Sequence, residues 1–160
     1  MRRSVLSFAA AVTLATGGAL FGAAAPASAA RADDTATVCS RVSKSNEPLR
    51  DALNTQVDTI NNLTQSGDKA GAAAAAKQLG TTMQTWVTEV QQAASTASDA
   101  NLKTALTTAA TDGQTLSQQL AAYDGTQKIS LDQFGTDNMQ INTLCGFTTM
   151  APASPSVQPS

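Results

Sequence analysis

Leu79-Gly80-Thr81-Thr82-Met83-Gln84-Thr85-Trp86-Val87-Thr88-Glu89-Val90 is the stretch whose reading decides the fold. Its threonines and valines suit a strand by composition. Its apolar residues, however, do not alternate. Leu79, Met83, Trp86, Val87 and Val90 recur at steps of three and four and continue to Ala94, which describes one face of an α-helix. Ala72 to Ala76, just upstream, is a strong helix former, so the spacing predicts a helix from near Asp68 to about Thr96. Gly80 weakens this helix locally, yet it would also let a neighbouring helix come close.

The same period extends in both directions. Upstream, Leu49, Leu53, Val57, Ile60 and Leu63 form a stripe that ends at Gly67-Asp68, preceded by a shorter helical piece from Val38 carrying Cys39 and Val42. Ser45-Asn46-Glu47-Pro48 marks a kink or a fresh start between the two, because proline is tolerated only in a first helical turn. Downstream, Ser98-Asp99 offers an N-cap for a helix carrying Leu102, Leu106, Ala109, Gly113, Leu116, Leu120 and Tyr123, which stops at Asp124-Gly125. Ser130-Leu131-Asp132-Gln133 reads as a capping box opening a shorter helix with Leu131, Phe134, Ile141 and Leu144 on its apolar face. Gly146 suits the position just past its end. The expected fold is all-α: an up-down-up-down four-helix bundle over residues 38–147, with a polar lead-in at 30–37 and a disordered, Pro/Ser/Ala-rich tail at 148–160.

Residues 1–29 read as a cleavable Sec-type signal peptide. Met1-Arg2-Arg3 supplies a positive start, Val5 to Leu14 and on to Phe21 an apolar run, and Pro26-Ala27-Ser28-Ala29-Ala30 a small-residue cleavage site. Cleavage falls before Ala30, with Arg31 nearly as good. Gly17, Gly18 and Gly22 interrupt the run and disfavour a retained anchor, so no stable membrane span is expected after cleavage. The expected destination is secreted, extracellular. Export leaves about 130 residues, one small domain. It also removes Arg2 and Arg3 but no acidic residue, taking the net charge from −2 to −4. A chain of that sign, with only 14 % charged residues, lacks the clustered Lys/Arg of a nucleic-acid binder.

The two cysteines, Cys39 and Cys145, both lie in the exported part, where an even pair usually bridges. An up-down-up-down bundle brings the start of its first helix and the end of its fourth to one end, which is where these cysteines fall. Closing a loop of roughly 100 residues is worth at most about 4 to 5 kcal/mol on the chain-entropy account.

The chain offers little chemistry. Histidine is absent, which excludes Ser-His and Cys-His nucleophiles. A Ser-Lys pair through Lys44 beside Ser43 and Ser45 has only sequence adjacency behind it. The acidic residues are scattered, many beside helix starts and turns. Asp132, Asp137 and Asn138 suggest at most a loose calcium site, since their spacing fits no EF-hand. Gly67-Asp68-Lys69-Ala70-Gly71 lacks the pattern of a phosphate loop. The expectation is therefore a non-enzymatic protein without a catalytic residue, metal or cofactor. Trp86 reads as a core anchor, or else as one wall of an apolar pocket between helices formed with Met83, Leu116, Leu120 and Tyr123. Tyr123 is a residue type that can ligate haem iron.

The alanine-rich signal behind Met1-Arg2-Arg3, the Ala/Thr/Gln-rich helices, and the pair Thr37-Val38-Cys39 and Thr143-Leu144-Cys145 resemble the small secreted all-helical proteins of high-GC actinobacteria. That resemblance implies export and a helical fold. The short helical substrates of type VII secretion carry a Trp-x-Gly turn, whereas Val87-Thr88 follows Trp86 here. Two functions are expected in order: an interaction protein in or outside the cell envelope with a protein partner, and a carrier of a small apolar ligand, haem-like molecules included.

Overall fold

The computed structural model describes residues 33–147. The expected signal peptide at 1–29 and the expected tail at 148–160 lie outside the described residues, as does most of the expected lead-in. Four helices follow one another: α1 (Thr35–Gln65), α2 (Lys69–Thr96), α3 (Ala100–Ala121) and α4 (Asp132–Leu144). Among the described residues there is no strand, only one isolated bridge between Asp33 and Ala97. The chain is an all-helical bundle in which α1 packs on α2, α2 on α3 and α3 on α4.

The starts of the first three helices have one cause. Asp34, Asp68 and Asp99 each accept, through Oδ1, the backbone N–H three residues on, from Thr37 (2.7 Å), Gly71 (2.9 Å) and Leu102 (2.8 Å). Each satisfies a donor that the helix itself cannot pair. The backbone N–H of Thr37, supported by its side chain, holds the Asp34 carboxyl below the usual carboxylate range. Because Asp34 caps it, α1 begins at Thr35, three residues before the Val38 expected from apolar spacing. Two of the ends also share a cause. Gly67 (φ +81°) and Gly146 (φ +69°) adopt the left-handed conformation after α1 and α4. At each end two backbone N–H groups then turn back, Gly67 to Thr64 and Asp68 to Leu63, Gly146 to Thr143 and Phe147 to Asn142.

Three further expectations are corrected. Of the two readings of Pro48, a kink or a fresh start, the fresh start is excluded, since α1 runs through the proline for 31 residues, about 46 Å at helical rise. The buried stripe explains why. Val38, Val42, Ser45, Leu49, Val57, Ile60 and Thr64 keep one phase across the proline, so packing along the whole helix opposes a local cost of about 3 kcal/mol. The capping box of α4 does not form. Leu131 occupies the N-cap, drawn there by burial of its side chain in the core, and an aliphatic side chain has no atom to cap with. Ser130 is thereby displaced by one residue and hydrogen-bonds Asp132 instead, while Gln133 turns to Asp137. Leu144, expected on the apolar face, is 37 % exposed.

α2 and α3 meet closely because both are small at the crossing. A methyl group at Gly80 would lie 3.1 Å from the Ser117 carbonyl and 3.3 Å from Leu120 Cβ. One at Gly113 would lie 2.8 Å from Trp86 Cζ3 and 3.0 Å from Val87 Cγ2. Ser117 completes the contact by donating to the Gly80 carbonyl at 2.9 Å. Gly135 in α4, by contrast, has open space where its Cβ would be. Gly113→Ala is therefore expected to destabilise by about 1–3 kcal/mol, since the indole cannot yield. Gly135→Ala should stabilise by about 0.5–1 kcal/mol through helix propensity. Urea unfolding of the two variants checks the opposite signs; two changes of the same sign would refute the close-approach account.

Candidate functional site

Helical spacing places Trp86 on the buried face of α2, where it meets each of the other helices. Its Nε1 donates to Oδ1 of Asn46 in α1 at 2.6 Å, which satisfies the indole N–H. Its ring stands edge-on to Phe134 of α4, with centroids 5.0 Å apart and planes at 74°. Its benzo edge faces the gap left by Gly113 of α3. Trp86 is only 2 % exposed.

The other residues of the expected apolar pocket, Met83, Leu116, Leu120 and Tyr123, are all buried in the same hydrophobic core. The Tyr123 hydroxyl is 3.2 Å from Oγ1 of Thr64, a residue that also donates to the Ile60 carbonyl. The phenol is thus engaged inside the bundle. Two open grooves lie elsewhere. One, of about 190 Å³, runs between α1 and α2 and is lined by Ser45, Pro48, Leu49, Thr82, Trp86 and Glu89 among others. Of the five pocket residues, Trp86 alone reaches it. The second, of about 450 Å³, lies beside Cys39 and Cys145 with Ser40, Lys44 and Phe147.

Cys39 and Cys145 form a disulfide, with Cα atoms 5.5 Å apart and a sequence separation of 106. It ties the first turns of α1 to the residue that caps α4. A second tie lies at the entrance of α1. Asp33 exchanges backbone hydrogen bonds with Thr96 and Ser98, and Arg41 reaches Asp33 Oδ2 (2.9 Å) and Thr96 Oγ1 (3.2 Å).

The remaining expected groups do not assemble. Ser45 is buried with its hydroxyl donating to the Val42 carbonyl, while Lys44 is exposed. Asp132 is exposed and bonded to Ser130, Asn138 donates to the Phe134 carbonyl, and Asp137 is buried. No group of three or more acidic, histidine or cysteine side chains that could hold a metal occurs among the described residues. No helix among them is long and apolar enough to cross a membrane.

One feature escaped the reading of the residues. Asp137 lies on the buried face of α4, between Phe134 and Ile141, and the Asp112 carboxyl of α3 acts on it directly. Burial first, then the neighbouring Asp112 carboxyl, push the Asp137 carboxyl up from the usual carboxylate range, against a lowering by Gln133. The signal was present, since Asp137 fills the helical position between Phe134 and Ile141.

No family model, no curated protein and no solved structure matches this chain.

Two tests follow from the geometry. Reduction should expose two thiols where the oxidised, denatured protein shows none, and should cost about 2–5 kcal/mol of stability in urea. Asn46→Ala leaves the indole N–H without its acceptor and should cost about 1–3 kcal/mol, with a shift in Trp86 emission. Unchanged stability and emission would mean that another group takes over the indole.

Proposed function

We propose that this chain is an exported, disulfide-locked helical scaffold that acts by binding a partner in or beyond the cell envelope, without catalysis. The observation that carries this reading is the Cys39–Cys145 disulfide. Such bonds persist in oxidising compartments, and residues 1–29 have the composition of a cleavable signal. The helix order supports an up-down-up-down arrangement: Asp33 meets Thr96, Thr64 meets Tyr123, and Cys39 joins Cys145. The exposed surface of α2 and α3 supports binding rather than chemistry. It is rich in Thr and Gln, and Thr81, Thr85, Thr88, Thr107, Thr111 and Thr115 donate their hydroxyls to carbonyls of their own helix. Those oxygens keep accepting capacity towards an outside partner.

The groove beside Trp86 favours a second reading, a carrier of a small apolar ligand. Pro48, Leu49 and Trp86 give it an apolar side, while Thr82 and Glu89 supply polar groups.

Native mass spectrometry of the protein from the culture medium of its own host tests both. The scaffold reading expects a chain starting at Ala30 or Arg31, two hydrogens lighter than the reduced polypeptide and free of small molecules. A chain found only inside cells with residues 1–29 attached would remove export. A small molecule released on unfolding would favour the carrier.

A further inference from the structure

Asp137 is a buried ionisable group that the packing leaves half-satisfied. It is 4 % exposed. Its Oδ1 accepts Gln133 Nε2 at 3.0 Å, while its Oδ2 is buried without a hydrogen-bond partner. A charged carboxylate oxygen in that position is unfavourable unless something pairs with it. Across the interface, half-buried Asp112 of α3 brings a second carboxyl within hydrogen-bonding reach. Two ionised carboxylates are both acceptors and repel each other; one proton turns the same contact into a hydrogen bond.

Among the described residues no cation competes for this role. The other charged residue of α3 is Lys103, and α2, which touches α4 through Trp86 and Phe134, carries Lys69, Lys77 and Glu89. Arg41, Lys44 and Arg50 lie on α1, which the disulfide ties to α4, and Lys128 lies in the preceding loop. None of these acts on Asp137, and Asp132 of α4 itself is exposed.

We propose that Asp112 and Asp137 hold one proton between them across the α3–α4 interface, and that this proton seats α4, making its docking a pH-sensitive latch. The folded protein keeps the proton at a pH where the unfolded chain has lost it. The latch is therefore fully effective below the ordinary carboxylate value. It weakens as the pH rises from there through the raised value of the folded state, by at most about tenfold in the folded-to-unfolded ratio per pH unit. The Cys39–Cys145 bridge keeps α4 attached throughout, so the result is a loosened helix rather than a lost one. Phe134 then draws away from Trp86, which makes the tryptophan a built-in reporter.

The test is urea unfolding of the oxidised protein, followed by Trp86 emission from acidic to slightly alkaline pH. It compares the wild type, Asp137→Asn and Asp112→Asn, each with and without millimolar calcium. The wild-type midpoint should fall as the pH rises. Both variants should flatten that fall, and Asp137→Asn, whose amide can donate to Asp112 without ionising, should be the more stable protein at neutral pH. A wild-type midpoint that follows the same pH course as Asp137→Asn would overturn the latch. So would a calcium-dependent rise at neutral pH that both variants lose, because a metal would then be the occupant. Should the variants not fold, carbon-13 titration of the wild-type side-chain carboxyls decides: Asp137 titrating in the ordinary range overturns the proposal, and a raised titration supports it.

Discussion

The bundle depends on where one indole can go. Trp86 is too large to share a helix crossing with another full-sized side chain, so the position opposite it on α3 is Gly113. Its N–H cannot be buried unpaired, so α1 supplies Asn46. Its remaining edge is covered by Phe134, whose near-perpendicular ring adds a directional contact between α4 and α2, worth about 0.5–1.5 kcal/mol beyond burial. Each of the three other helices thus contributes a residue whose type is explained by this ring. Spacing alone would allow many rotations of four amphipathic helices, and the shape of one side chain removes most of them.

The disulfide solves a different problem. α4 has 13 residues, about 20 Å of helix, against about 46 Å for α1, and its principal helical neighbour is α3. A short terminal helix with one main neighbour is the element first expected to fray. Three features hold it: Leu131 and Phe134 in the core at its start, Asp137 against Asp112 in its middle, and Cys145 bonded to Cys39 at its end. They differ in what weakens them. The first responds to denaturant, the second to protons and the third to reductant, so the docking of α4 is sensitive to its surroundings in ways that the α2–α3 contact is not.

Most of this architecture was legible in the residues. The Asp99 cap, the two glycine-ended helices and the apolar stripes of α2 and α3 follow from local rules, and the cysteine pair follows from an even count, whereas the Asp34 cap lay hidden in what reads as a polar lead-in. What was obscured has a common form: a polar residue standing at a buried position. Ser45 and Thr64 interrupt the apolar stripe of α1, and Ser45 with Asn46, Glu47 and Pro48 left a fresh start as open as a kink where one helix runs through. Both hydroxyls bond to carbonyls of their own helix, Val42 and Ile60, which lets them be buried cheaply. The reverse case is Leu131, an apolar residue in a capping position, which burial took away from the pattern that Ser130 and Gln133 offered. The candidate pocket shows the same limit. Met83, Leu116, Leu120 and Tyr123 share Trp86's buried character, but periodicity reports only that a residue faces inward, not whether space remains beside it.

Asp137 belongs to this class and differs in one respect that gives it consequence. Serine and threonine satisfy themselves against their own helix whatever the solution contains. An aspartate cannot donate to a carbonyl unless it is protonated, and Gln133 occupies only one of its oxygens. Among the described residues no donor completes it, and the acceptor opposite, Asp112, makes a proton the partner that fits. A neutral residue at 137 would have given a more indifferent helix. The chain instead keeps an acid in the buried stripe of its shortest helix, one turn beyond Phe134, the residue through which that helix meets the Trp86 ring, so a proton at this interface bears on the contact that joins α4 to α2.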